Sequence, residues 1–129
     1  MNAVAKFAVA YIVVWALMHI ISAFTCPWIN VDTPPWITVA VYIPLGISLL
    51  VALAFILRCS KGSPGALIGK TILIVNAVLQ VWSSINTFTG QSMLNIPFRN
   101  VEVFQAMMSF NEALSAVFMF YLALFNISE

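Results

Sequence analysis

The feature that most constrains this chain is a set of four long apolar runs. They cover about residues 6–24, 37–57, 66–88 and 101–125. A helix of roughly 20 apolar residues is long enough to cross the ~30 Å of hydrocarbon in a bilayer. The runs are continuous and lack the period-two alternation of barrel strands, which favours helices. The sequence therefore predicts an all-α protein, a single-domain transmembrane bundle of four helices.

The segments between the runs contain the residues that interrupt helices. Pro27 and Pro34 lie in the first separator, Gly62 and Pro64 in the second, and Gly90 opens the third. Glycine and proline are the residues that most often mark turns. These segments are short, which predicts that consecutive helices are joined by tight connections.

The composition excludes several classes of protein. Of the 129 residues, 63% are hydrophobic and 7% are charged, and the net charge is +1. A soluble domain carries about 25% charged residues. A soluble globular enzyme, a disordered chain and a nucleic-acid binder are therefore excluded, since no basic surface is available for phosphates. Membrane lipids are the expected surroundings, and no nucleic-acid partner is expected.

The positions of the cations predict the orientation of the chain. Lys6 begins the first run, and Arg58, Lys61 and Lys70 surround the second separator, whereas Arg99 is the one cation of the third. Lysine and arginine are enriched in cytoplasmic loops. Both termini and the 58–70 loop are thus predicted inside (N-in, C-in), in a cytoplasmic or organellar inner membrane.

The same topology separates the two cysteines. Cys26 lies in the first separator and Cys59 in the second, so they fall on opposite sides of the membrane. A disulfide needs Cα atoms within about 7 Å. We therefore expect no disulfide between them.

The second run contains a helix-breaking pair. Pro44 removes one backbone donor, and Gly46 follows two residues later. A functional interpretation is a hinge or a shaped cavity. The alternative is a packing bend, which is favoured because both residues are frequent in membrane helices.

Polar residues recur along one face of the third run and of the fourth. If these two helices are antiparallel, residues at equal depth have numbers with a constant sum. Gln80 with Glu112, Ser83 with Ser109, and Thr87 with Gln105 all share the sum 192. The two polar faces are thus predicted to meet in register.

At ~1.5 Å per residue, Gln80 and Glu112 fall near the middle of the bilayer, with His19 of the first run about one turn further out. These side chains predict a polar interior between apolar helices. The predicted intramembrane cluster, which is either structural or binds a proton or cation, consists of His19, Asn76, Gln80, Ser83, Ser109 and Glu112.

Glu112 most needs an explanation. A charge at the centre of a membrane helix costs on the order of 2.5–3.5 kcal/mol, and no Lys or Arg lies near the middle of any run. The carboxyl group is therefore expected to be protonated, to be bonded by Gln80, to pair with His19, or to meet a cation of another chain. It is either a coupling site for a proton or cation or an interhelical hydrogen bond worth roughly 0.6–2 kcal/mol.

No residue pattern indicates a metal, a cofactor or a catalytic site. His19 is the one histidine, and a haem or zinc site needs further ligands. A histidine satisfied in the interior is therefore the favoured interpretation. We expect no cofactor and assign no catalytic residue.

Three functions fit this pattern. The favoured one is a small non-catalytic membrane subunit that contributes helix packing, assembly and lipid contacts to a larger complex. The second is a small oligomeric transporter or channel coupled to protons or cations through Glu112. The third is a membrane enzyme for lipid or sterol-like substrates, with His19 and Glu112 as acid and base. The expected partners are other integral membrane subunits or further copies of this chain.

Overall fold

The computed structural model describes residues 1–25, 35–91, 93 and 102–125, apart from the side chains at positions 25, 35 and 104. Cys26 and Arg99, used in the topology argument, lie outside the described residues. The described part forms four α-helices, and the prediction of an all-α chain is confirmed. The helices are α1 (Ala3–Thr25), α2 (Pro35–Arg58), α3 (Pro64–Phe88) and α4 (Glu102–Leu124).

All four helices are long and apolar enough to span a membrane. Each has between 23 and 25 residues, which corresponds to about 35 Å at ~1.5 Å per residue. Their ends differ by at most three residues from those of the predicted runs. Length and hydropathy were sufficient to locate them.

Local side chains determine where the helices begin and end. Asn2 accepts a hydrogen bond from the Ala5 amide at 2.8 Å and caps α1. Ser63 caps α3 in the same way, and Pro64 occupies the first helical turn, where no donor is needed. After α3 the chain turns at Gly90, whose φ of 88° is the left-handed conformation that glycine adopts easily.

The helices form a ring in chain order, and each packs on its two neighbours. Gly69 of α3 lies against Ala52 of α2, while Gly65 lies against Cys59, so these two helices are antiparallel. Phe7 of α1 lies against Phe118 of α4, while Tyr11 lies against Asn111, so this pair is antiparallel as well. Two contacts described below, Ser84 with Ser109 and Phe88 with Gln105, show the same for α3 and α4, and α1 and α2 are then antiparallel too. The beginning of α1, the turn between α2 and α3, and the end of α4 therefore lie at one end of the bundle.

Gly46 brings α1 and α2 into close contact. A Cβ atom at this position would lie 2.7 Å from the Ala16 carbonyl oxygen and 2.7 Å from Cγ1 of Ile20. The absence of a side chain thus lets one helix approach the other's backbone, as small residues do between membrane helices. The helix continues through Pro44 without interruption. The structure thus gives Gly46 a packing role, and a hinge at Pro44 stays a prediction.

The bundle buries part of its apolar surface and exposes the rest. Ile12, Leu49, Leu73 and Met119 supply one fully buried side chain from each helix. Large apolar side chains are also exposed on every helix, and the most exposed include Phe7, Trp36, Ile85, Phe88 and Phe110. An apolar outer surface on all four helices is unusual for a chain surrounded by water.

Replacing Gly46 tests the close approach of α1 and α2. Gly46→Leu should force the helices apart and lower the free energy of unfolding by about 1–3 kcal/mol, the usual cost of overpacking. Thermal unfolding in detergent micelles measures this loss. Ala54→Leu adds a leucine at an exposed position of the same helix and should have little effect. Equal melting temperatures for the two variants would contradict the packing role.

Candidate functional site

The side chains predicted to form a polar cluster are all buried in the bundle. They come from α1, α3 and α4. Their exposed fractions are 9% for His19, 4% for Asn76, 1% for Gln80, 5% for Ser83, 7% for Ser109 and 8% for Glu112.

A reciprocal pair of serines joins α3 to α4. The Ser84 hydroxyl donates to the Ser109 carbonyl oxygen at 2.8 Å, and the Ser109 hydroxyl donates to the Ser84 carbonyl oxygen at 2.8 Å. Both carbonyls use the lone pair that the helical hydrogen bond leaves free. Only small side chains let two helices approach this closely. We refer to Ser84 and Ser109 as the serine pair.

Glu112 is bonded by hydroxyl groups of α3. The Thr87 hydroxyl lies 3.2 Å and 3.0 Å from the two carboxyl oxygens, and Ser83 lies beside the same carboxyl group. Within the described residues, no Lys, Arg or His pairs with Glu112. The carboxyl group is thus held by neutral partners.

The observed register of α3 and α4 differs from the predicted one. Ser84 faces Ser109, and Gln105 donates to the Phe88 carbonyl oxygen at 2.9 Å, so facing residues have numbers that sum to 193. Gln80 forms no hydrogen bond with Glu112, contrary to the pairing expected at equal depth. In both helices the Cα–Cβ bond tilts toward the N-terminus. The side chains of Thr87 and Glu112 consequently lean toward each other although their backbones lie at different depths.

Gln80 instead reaches His19 of α1, on the opposite side of the ring. Its side-chain nitrogen lies 3.3 Å from Nε2 of the imidazole, and Nδ1 lies 2.9 Å from the Trp15 carbonyl oxygen. Because a carbonyl oxygen only accepts, Nδ1 must carry a proton. Nε2 then accepts from the Gln80 amide, which makes the imidazole the neutral Nδ1–H tautomer.

Aromatic rings surround His19. Its ring lies 5.1 Å from that of Trp15 and 5.8 Å from that of Tyr42 on α2, both in edge-to-face geometry. Trp15 Nε1 and Gln80 Oε1 are buried without a hydrogen-bond partner. His19 and Glu112 form no hydrogen bond with each other, so the structure does not join the acid–base pair that an enzyme would use.

Two further bonds connect neighbouring helices. Asn76 of α3 donates to the Ser48 hydroxyl of α2 at 3.2 Å, and Tyr11 of α1 lies 3.4 Å from the backbone and side-chain oxygens of Asn111 on α4. The sequence pattern does not reveal Ser48, Tyr11 or Asn111 as contact residues. An isolated polar residue in an apolar run has no periodicity to reveal it, and tyrosine is amphipathic.

The part of the chain that the structure describes contains no group of three His, Cys, Asp or Glu side chains that could hold a metal ion. The members of the cluster connect α3 with each of the other three helices. The bond between Tyr11 and Asn111, outside the cluster, connects α1 with α4.

No protein-family model, no curated protein and no solved structure matches this chain.

The tautomer of His19 can be measured directly, because the chain has one histidine and all imidazole signals therefore belong to it. Correlation with the ring protons distinguishes Nδ1 from Nε2. Nitrogen-15 NMR of the labelled ring in bicelles should show a protonated Nδ1 and an unprotonated Nε2. Gln80→Leu should change the Nε2 signal and leave that of Nδ1 in place, since the Trp15 bond is retained. A predominant Nε2–H form in the unmodified chain would contradict the His19–Gln80 contact.

Proposed function

We propose that this chain is an integral membrane protein that crosses the bilayer four times, with both termini inside. The length and apolar surface of the four helices support this placement. Arg58 and Lys61 are exposed at the turn between α2 and α3. The antiparallel order brings Lys6 to the same end of the bundle. Grouping of basic residues at one end favours the cytoplasmic or matrix side for that end.

Within that membrane, the proposed function is that of a non-catalytic subunit of a larger complex. The observation that carries the proposal is that the interior polar groups form hydrogen bonds between helices. The serine pair, Thr87 with Glu112, and Gln80 with His19 each join two helices. In hydrocarbon such bonds contribute about 0.6–2 kcal/mol each to helix association. The polar side chains thereby build a stable four-helix unit.

One outer face of α4 has the spacing of a helix–helix contact. Ala106, Phe110, Ala113 and Val117 recur at intervals of three and four residues and are all exposed. Small residues at membrane helix interfaces let a second helix approach closely. On this face the large side chain of Phe110 projects outward, and the small alanines on either side of it leave recesses for side chains of a second helix. We place the contact with other subunits on this face.

Native mass spectrometry after gentle extraction from the source membrane tests the subunit function. The account predicts stoichiometric, larger partner subunits with the unmodified chain. Ala106→Leu combined with Ala113→Leu should remove them, because the added side chains fill the recesses. Ala54→Leu on the exposed face of α2 is the matched control and should keep the partners. A chain found alone, or only with further copies of itself, would contradict the proposal.

A second candidate function is transport coupled to protons or cations, and the specific observation in its favour is Glu112. This carboxyl group is 92% buried, and its partners are hydroxyls rather than cations. An intramembrane carboxyl group without a basic partner is typical of a coupling site. A homo-oligomer of the chain would then be the working unit.

Glu112→Gln separates the two functions. The glutamine side chain retains an oxygen that accepts a hydrogen bond from Thr87, so the helices should assemble normally. It cannot bind or release a proton in the way that a carboxyl group does. If Glu112 couples transport, proton-driven flux in liposomes should disappear in this variant. Thr87→Val removes the hydroxyl partner but leaves the carboxyl group and should retain flux. Unchanged flux with Glu112→Gln, or no flux with the unmodified chain, would exclude coupling at this residue.

A further inference from the structure

A cavity of about 460 Å³ lies between α2 and α3, away from the His19 and Glu112 contacts. Its walls are mainly apolar and include Pro44, Leu45, Val75 and Leu79. Pro44 and Val75 are exposed, so the cavity opens on the outer surface of the bundle. Its size is within the range of sites for small molecules.

Two of the lining side chains are polar, and they are bonded to each other. Asn76 donates through its amide nitrogen to the Ile72 carbonyl oxygen at 2.9 Å and to the Ser48 hydroxyl at 3.2 Å. Ser48 in turn donates to the Leu45 carbonyl oxygen at 2.8 Å. These bonds use both protons of the amide nitrogen and the one proton of the hydroxyl.

The hydrogen bonds that Asn76 and Ser48 can still form are bonds in which they accept. The Asn76 carboxamide oxygen is buried and has no partner, and the Ser48 oxygen retains one lone pair. The amide orientation is determined by Ile72, because a turned amide would place its oxygen about 2.9 Å from the Ile72 carbonyl oxygen, and two acceptors repel each other. A buried acceptor without a donor costs about 1–3 kcal/mol. A ligand that supplies a donor would recover part of that cost.

We propose that this cavity binds an apolar molecule from the membrane that carries one hydroxyl group, and that the hydroxyl donates to the Asn76–Ser48 pair. The apolar walls accommodate its hydrocarbon part. A ketone, an ether or a plain acyl chain lacks a donor and gains only the apolar contacts. The cavity thereby discriminates among membrane-soluble molecules by one hydrogen bond. This proposal depends on the membrane placement but not on the subunit role.

Photolabelling of the purified chain in phosphatidylcholine vesicles tests the site. The probe is octanol carrying a diazirine group, and mass spectrometry locates the label on peptides of α2 and α3. Octanol should compete with the probe about three- to tenfold better than 2-octanone at equal concentration in the membrane, which is the ratio expected for one neutral hydrogen bond. Equal competition by the alcohol and the ketone would reduce the cavity to an acyl-chain groove and overturn the proposal.

Two variants remove different parts of the site. Asn76→Leu removes the acceptor and should abolish the preference for the alcohol. Val75→Phe fills the mouth from an exposed position and should reduce labelling, with Asn76 unchanged. Asn86→Leu is the control, since Asn86 is a buried asparagine of the same helix that does not line the cavity. Unchanged labelling with Val75→Phe, or an unchanged preference for the alcohol with Asn76→Leu, would overturn the proposal.

The same preparation separates this proposal from the others. Flotation of the chain with the vesicles reports membrane placement, and failure to float would contradict both the placement and the site. The labelling result does not depend on the proposed subunit function, because the vesicles contain this chain without partner subunits.

Discussion

A polar group in the interior of an apolar bundle must find its partner among the other groups of that bundle. Water is the usual alternative partner, and hydrocarbon does not replace it. This constraint governs the arrangement of the four helices. The serine pair satisfies two hydroxyls and bonds two carbonyls at once, and it brings the backbones of α3 and α4 together.

The same constraint accounts for the link across the ring. Gln80 and His19 belong to helices that are not neighbours, and their side chains meet in the middle. One nitrogen of the imidazole is occupied by its own helix and the other by α3. A neutral histidine can satisfy both partners with its one donor and one acceptor, which lysine, a donor only, cannot do. His19 therefore acts as a connector, for which its chemistry is suited.

Unpartnered atoms indicate where the bundle is incomplete. Asn76 leaves an acceptor at the α2–α3 cavity, and Gln80 leaves one beside His19. Among the residues that the structure describes, Glu112 has hydroxyl partners and no cation. A ligand or a proton at these positions would meet unused bonding capacity in surroundings of low polarity, where a new hydrogen bond is strong.

The sequence was informative about the helices and less so about their contacts. The four helices could be predicted because bilayer thickness sets a minimum apolar length, and Ser63 with Pro64 marks a helix start by local chemistry. The predicted register was wrong by one residue. The predicted partner of Glu112 was wrong for a different reason, because a constant-sum rule treats side chains as if they pointed straight across. The tilt of Cα–Cβ bonds toward the N-terminus would have favoured Thr87 as the partner of Glu112. The contacts of Ser48 and Tyr11 depend on how each helix is rotated, which a single polar residue in an apolar run does not reveal.

Disulfide crosslinking in membrane vesicles tests the central claim, that positions 84 and 109 face each other where α3 packs on α4. Ser84→Cys with Ser109→Cys, in a chain carrying Cys26→Ser and Cys59→Ser, should crosslink rapidly under mild oxidation. The two hydroxyl oxygens are 3.2 Å apart, and sulfur atoms at these positions need little movement to bond. Ser83→Cys with Ser109→Cys is the matched control and should crosslink more slowly. Faster crosslinking of that control pair, or none of either, would contradict the account.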